Sequence, residues 1–213
     1  MEDFEMTSEI HQSSPPPPLI GKRVYLRPVG PNDYEFLYAL FTDADVTFKW
    51  RLRGATPSPE RFSAGLWENQ MVQFMIMRRK DNARVGLISV YNVDLRNGHG
   101  CLAMAIAPPY QSGVYAHDAN LLFLNYLLRG WNLRKLYGES GEQSMATVMG
   151  GEDKYFKIEG RLRDHEYFDG RYWDTYTLAL YREDWEALIA ERLPRVLEPG
   201  PTIHATESSA FDS

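Results

Sequence analysis

Residues 103–126 read AMAIAPPYQSGVYAHDANLLFLNY, and the rest of the chain is organised around them. They continue an apolar strand expected over 101–107. Pro108-Pro109 end it, because proline offers no backbone donor and resists regular pairing. A polar turn follows, Gln111-Ser112-Gly113. The helix after it is apolar on nearly every face, with Ala116, Ala119, Leu122, Phe123 and Tyr126 flanked by Leu121, Leu124 and Leu127. Strand, small-residue turn and buried helix gather free backbone N–H groups and a positive helix end in one place. Such a corner suits phosphate groups. On this stretch alone an ordinary strand-to-helix connection fits the same residues.

Upstream, 72–79 and 84–93 alternate in strand fashion, with Asp81-Asn82 as the turn between them. Arg96-Asn97-Gly98 is a hairpin signal. These pieces predict a three-strand antiparallel meander that runs into the corner. Earlier still, 22–29 alternates as a half-buried strand, and Gly30-Pro31-Asn32-Asp33 carries turn and helix-cap chemistry. Phe36, Leu37, Leu40 and Phe41 fall at helical spacing. The stretch 43–56 is irregular and is read as a cleft wall. A second helix starts at Pro59-Glu60 and runs through Phe62, Leu66 and Trp67.

Downstream, the long helix is expected to end near Gly130 in a left-handed cap. A strand over 133–139 then runs parallel to the earlier one, since a helix crossover joins them. Residues 140–153 are small and polar. Strands over 156–168 and 172–180 flank an Asp169-Gly170 hairpin, and an amphipathic helix follows over 181–193. The expected organisation is a disordered Pro-rich acidic tail at 1–18, a domain at 19–193 and a disordered tail at 194–213.

The 213 residues fit one domain with tails. Net charge is −6. Residues 1–18 contribute −4 through Glu2, Asp3, Glu5 and Glu9, and 194–213 contribute −2, so the body is neutral. A neutral body argues against nonspecific nucleic-acid binding, which needs a basic face. Arg78-Arg79-Lys80 is read as a solvated run. Cys101 is the single cysteine, so no intramolecular disulfide forms; among apolar neighbours it reads as a core residue rather than a nucleophile. The acidic start has no apolar segment behind it, and no run of apolar residues is long enough to span a bilayer. A soluble cytoplasmic protein is expected, with no membrane partner. No metal site is expected either, because His99 and Cys101 alternate on one strand without a second ligand pair.

In this order the pieces resemble the GNAT-type N-acetyltransferase superfamily, and most of all its Rim-type branch of ribosomal-protein N-terminal acetyltransferases. The resemblance covers about 22–186. Arg23-Val24-Tyr25-Leu26-Arg27-Pro28 resembles the family's first strand and Val85-Gly86-Leu87-Ile88 its third. The run Ala105 to Gln111 is similar to the fourth strand and the entry to the coenzyme A loop. Trp131-Asn132-Leu133-Arg134-Lys135-Leu136 resembles the end of the third helix and the fifth strand. Glu159-Gly160-Arg161-Leu162-Arg163, Asp169-Gly170 and Asp174 resemble the family's ending. The order and spacing of the pieces carry the resemblance. It implies an α/β (α+β) fold: a mixed, mostly antiparallel sheet flanked by helices, with a V-shaped acyl-CoA cleft between the fourth and fifth strands.

The resemblance also implies acetyl-CoA as acyl donor. The family's loop pattern, Q/R-x-x-G-x-G/A, falls on Gln111, Ser112, Gly113, Val114, Tyr115 and Ala116. Val114 stands where the first glycine belongs, and a β-branched residue resists positive φ, so either a reshaped loop or weak coenzyme A binding is expected. Asp118 is read as structural. Ala105, Ile106 and Ala107 would offer backbone donors to the donor's carbonyl and pantetheine arm. Direct attack of an amine on the thioester needs a proton acceptor and a donor for the departing thiolate. Glu139 is the first candidate base and His99 the second. Family spacing places Gly151 where many relatives carry a tyrosine acid. It places Ser144 at the family's asparagine, as a thiolate hydrogen-bond donor, with Tyr155 nearby. Trp50, Trp67, Tyr91 and Trp173 are candidate walls of an acceptor cleft.

The leading expectation is an N-acetyltransferase acting on a primary amine: a protein N-terminus, a lysine or a small molecule. Two others stand beside it. One is a degenerate fold of the same family that binds acyl-CoA or a protein partner without turnover. The other is a transferase with a larger acyl or an aminoacyl donor. The Asp169-Gly170 hairpin leaves an edge through which a second copy could pair as a homodimer.

Overall fold

In β2 (Gln70–Arg78), Phe74 and Ile76 point to one face of the sheet, Met75 and Met77 to the other, and all four are buried. A strand that is apolar on both faces needs cover on both. The computed structural model, which describes residues 19–50, 52–111, 113–145 and 155–197, supplies that cover from two helical layers. The sheet has seven strands. Beside β2 they are β1 (Val24–Pro28), β3 (Arg84–Asp94), β4 (His99–Ile106), β5 (Lys135–Gly141), β6 (Phe156–Phe168) and β7 (Arg171–Tyr181). Their spatial order is β1-β2-β3-β4-β5-β7-β6. Every neighbouring pair is antiparallel except β4 and β5, which are parallel.

The parallel pair is joined by α4 (Val114–Gly130), the long apolar helix of the opening stretch. Residues Leu121, Leu122, Phe123, Leu124 and Leu127 are all buried, because the helix is covered by the sheet on one side and by α5 (Arg182–Val196) on the other. Trp185 of α5 is fully buried, and its indole N–H donates to the carbonyl of Leu124 (3.0 Å). The opposite face is covered by α1 (Tyr34–Thr42) and α3 (Pro59–Gly65), linked through the short α2 (Ala44–Thr47). Ser58 caps α3 by accepting from the Arg61 amide, with Pro59 at the first helical position.

Asp33 ties β1 to this layer. It is 1% exposed and accepts from both terminal nitrogens of Arg27 (one through each oxygen, 2.7 Å), from Arg84 Nε (2.9 Å) and from the Gly30 amide (2.9 Å). The turn-and-cap reading of 30–33 therefore lands on a buried ion cluster.

Three expectations are corrected. Gly130 ends α4, but not in left-handed backbone. The chain leaves through extended Trp131, and the Arg182 guanidinium takes the carbonyls of Leu128 (3.1 Å) and Leu133 (2.9 Å). A cation at a helix C-terminus does the work expected of the glycine. The α5 helix carries Pro194 inside it and runs to Val196, past the expected helix end at 193. β5 begins at Lys135 and ends at Gly141, shifted two residues from 133–139. Residues 1–18 and 198–213, expected as tails, lie outside the described residues. Among the described residues no helix is long and apolar enough to cross a membrane.

Candidate active site

β4 and β5 pair only through His99–Cys101 and Lys135–Tyr137. Beyond those three positions they part, and the opening is bounded by the rest of β4 and by Gly138 to Gly141 of β5. Strand alternation decides which amides of β4 face the gap. The Ala107 N–H donates to the Val85 carbonyl (2.8 Å), so residues 107, 105 and 103 turn their backbone toward β3. Leu102, Met104 and Ile106 turn theirs toward β5. The expectation that Ala105, Ile106 and Ala107 all offer donors is thereby corrected. The Ile106 and Met104 amides face the gap, and those of Ala105 and Ala107 are used within the sheet. The Ile106 carbonyl accepts from the Gln111 side chain (3.2 Å), which gives Gln111 a place at the mouth of the gap.

Gly86 lets β3 approach β4 this closely. A Cβ there would lie 2.0 Å from the Ala105 carbonyl oxygen, a contact no side chain survives. The Val85-Gly86-Leu87-Ile88 piece thus has a packing reason for its glycine.

At the turn, Gly113 takes the left-handed conformation, φ +85°, and Val114 is the first residue of α4. The expected conflict at Val114 does not arise, because the glycine one place earlier carries the positive φ. The N–H groups of Val114, Tyr115 and Ala116 have no partner inside the helix, since the first helical bond runs from the His117 amide to Gly113 (2.9 Å). Arg78, held by Asp81 (2.8 Å), lies 4.9 Å from the centre of the Tyr110 ring and adds positive charge beside the loop. Asp118 is fully buried and turned inward, where Arg23 grips both its oxygens (2.8 and 2.7 Å). Ser112 lies outside the described residues. Amides, a helix end and a nearby arginine fit a pyrophosphate.

The α1–α3 layer stops at β4, where Ala105 and Ala107 are its last buried partners. Beyond it, on the same face of the sheet, lies an open cavity of about 410 Å³, lined by Tyr91, Cys101, Tyr137, Glu139, Glu159 and Thr177 among others. Glu139 faces Thr177 of β7 and comes two residues after the last β4–β5 pair, at the throat of the opening. The Tyr181 hydroxyl and the Lys135 ammonium (3.0 Å) hold the Glu159 carboxyl below the usual carboxylate range, so it stays negative. Burial, with Glu139 nearby, pushes the Cys101 thiol up; Cys101 is half-buried and lines the cavity, which corrects its reading as a core residue. The cavity therefore presents an acidic, partly aromatic wall.

The far rim comes from the β6–β7 hairpin. Asp174 accepts from the Asp164 amide (2.9 Å) and from Arg161, fixing a register shift between Leu162 and Glu166. The irregular 43–56 stretch meets this rim. Phe48 packs on Phe168 (5.4 Å between ring centres), and Arg53 binds Glu166 (2.7 Å) with its other nitrogen 3.8 Å from Glu139.

Of the candidate residues, Glu139, Ile106, Gln111, Gly113, Val114, Tyr115 and Ala116 are arranged along one path from the throat to the α4 end. His99 sits at the closed end of the V and meets the cavity only through the edge of Tyr137 (5.7 Å). Ser144 ends the turn Glu142–Ser144 after β5, outside the cavity lining. Tyr155 is on the wrong face: it is buried against the α4–α5 layer, and its hydroxyl donates to Glu191 (2.6 Å). Gly151 lies outside the described residues. Of the four aromatic candidates, Tyr91 lines the cavity. Trp50 stacks on Phe41 (5.1 Å), Trp67 reaches the Tyr34 hydroxyl, and Trp173 donates to the Phe168 carbonyl (2.9 Å). Tyr137 went unread, although its alternation with Leu136 puts it on the face of Glu139. Arg53 and Glu166 carry no local signal. Among the described residues no group of three or more His, Cys, Asp or Glu is placed to hold a metal ion.

Comparison with known proteins gives a family and a set of similar folds. The family described as acetyltransferase (GNAT) domain matches residues 23–143. No curated protein matches the chain. Among solved structures, a spermidine N-acetyltransferase from Vibrio cholerae, in complex with CoA and spermine, superposes with a TM-score of 0.68 at 20% identity, covering 76% of this chain and 98% of that one. A spermidine/spermine N-acetyltransferase from the same organism, in complex with manganese ions, gives 0.64 at 18% identity, covering 78% and 96%. At these identities the likeness concerns the fold alone.

Proposed function

Since the chain belongs to the GNAT acetyltransferase family and is an acetyl-CoA-dependent N-acetyltransferase, we propose that its acceptor is a small cationic amine bound over Glu139 in the acidic cavity. The observation that carries this reading is the throat itself: β4 and β5 part just before Glu139, so one carboxylate faces both the gap and the cavity. Acetyl-CoA supplies the thioester carbonyl. The Met104 and Ile106 amides are placed to donate to the donor in the gap, and the amides of 114–116 to its pyrophosphate. Glu139 takes the proton that the ammonium must lose before its nitrogen attacks. The C–N bond forms and the C–S bond breaks; the second proton, which the nitrogen loses after attack, passes to the departing sulfur, so coenzyme A leaves as the free thiol.

The acceptor could instead be a protein N-terminus, as the resemblance to the Rim-type branch suggests. That resemblance is carried by the order and spacing of its pieces, Glu159-Gly160, Asp169-Gly170 and Asp174 among them. In this fold Glu159 pairs with Lys135 and Asp174 holds the β6 register, both structural duties. Glu139 at the throat and Glu166 on the rim, reached by a single guanidinium, favour an acceptor with more than one cation, of the kind the similar V. cholerae enzymes are named for. A cytoplasmic setting, expected from the sequence, goes with this reading.

A panel assay separates the acceptors. The purified chain is incubated with acetyl-CoA and with spermidine, n-butylamine or a short peptide with a free N-terminus, and products are read by mass spectrometry. The expected order is spermidine first, then the monoamine, then the peptide. Acetylation of the peptide alone would overturn the small-amine reading in favour of a protein acceptor.

A further inference from the structure

Arg53 is held in an unusual way. Its backbone is left-handed (φ +47°), and Gly54 after it is too (φ +85°). A Cβ at Gly54 would meet the Phe48 ring at 2.5 Å, so the loop is pressed against Phe48, which is itself packed on Phe168 of the hairpin. The result is a guanidinium set between two carboxylates from different strands: 2.7 Å from Glu166 on β6 and 3.8 Å from Glu139 on β5. Side-chain exposures of 56% for Arg53 and 55% for Glu139 leave both in contact with solvent. An exposed pair of this kind binds weakly and exchanges readily. Glu166, 22% exposed, is the closer and more sheltered partner.

We propose that Arg53 is a specificity-determining residue, a built-in counter-cation that occupies the charge position of the acceptor and is displaced when a cationic amine enters. This rests on the small-amine reading above. The guanidinium marks where a second positive charge is stabilised, between the throat and the rim. It also sets a threshold. An acceptor must offer at least as good a match to Glu139 and Glu166 as the guanidinium does, which selects amines that carry a second cation at a distance from the reacting one. Neutral and singly charged amines gain less from the exchange.

The test uses the full chain and spermidine as probe, with binding followed by calorimetry in the absence of acetyl-CoA. Two like charges about 4 Å apart in a solvated site repel enough to change Kd by about fivefold. Arg53→Ala is therefore expected to bind spermidine about fivefold more tightly than the unaltered chain, and Arg53→Lys to bind it like the unaltered chain. The selectivity for spermidine over n-butylamine should narrow in Arg53→Ala. Unchanged or weaker spermidine binding in Arg53→Ala, or no spermidine binding by either protein, overturns the proposal. Acetyl-CoA is titrated into the same samples. Its binding reports on the transferase reading separately, so failure of Arg53 as a competitor and failure of the donor site give different results.

Discussion

Replacing Glu139 by Gln is expected to lower kcat by about 10²- to 10³-fold while leaving acetyl-CoA binding unchanged. Glutamine keeps the shape and the hydrogen-bonding reach of the side chain but accepts no proton, and a positioned general base contributes roughly 10²–10⁴ in rate. The geometry behind the expectation is specific. Glu139 is the first outward-facing residue of β5 on the cavity side after pairing with β4 ends at Tyr137. His99, the other candidate, lies at the paired end and meets the cavity only through Tyr137. The loss should shrink as pH rises toward the acceptor's own pKa, about 10 for an alkylamine, because solvent then removes the proton that the proposed base would take at neutral pH. Steady-state kinetics from pH 7 to 10 check both parts. A variant that keeps more than about a tenth of the rate at neutral pH would move the base elsewhere.

The second large effect concerns stability. Asp33→Asn is expected to cost about 3 kcal/mol. The carboxylate is buried and answers two guanidiniums and one amide; its neutral replacement leaves Arg27 and Arg84 facing each other without a counter-charge. The cost sits at the lower end for a broken buried pair because Arg27 and Arg84 are 33% and 39% exposed and regain water. Hydrogen bonds from Arg27 outweigh the opposing effect of burial and, with the Gly30 amide and Arg84, hold the Asp33 carboxyl well below the usual carboxylate range. A lowered folded-state pKa stabilises fully above the unfolded value, about 3.9, and that stabilisation fades as pH falls through the folded value. The unaltered chain should therefore lose stability below about pH 4 more steeply than Asp33→Asn does. Urea titrations of both proteins at pH 7 and pH 3 measure this. Equal stability at pH 7 would show that the cluster contributes nothing net.

How much of this was legible beforehand depended on how local each feature is. The α4 helix, the β2–β4 meander and the parallel step to β5 were readable because periodicity and turn residues are local. Gly113 and Val114 were readable as a departure from a pattern, yet its consequence was not: which of two adjacent residues carries the positive φ depends on where the helix starts. The direction of the β4 amides follows from one hydrogen bond, Ala107 to Val85, that no single-strand reading supplies. Tyr155 was placed near the chemistry by sequence proximity, but the β6 entry carries it to the opposite face. Arg53 and Glu166 come together from positions 113 residues apart. Their meeting depends on the Asp174-held register of the hairpin and on the Phe48–Phe168 contact, and neither leaves a trace in composition or spacing.

The parted β4 and β5 strands, with the amide turn at 113–116, are proposed to hold acetyl-CoA. The most direct measurement is calorimetric titration of acetyl-CoA into the purified chain. One molecule is expected to bind per chain at micromolar Kd, corresponding to about −8 kcal/mol. No heat of binding at millimolar acetyl-CoA would contradict it, and with it the donor site on which every catalytic role assigned to Glu139 depends.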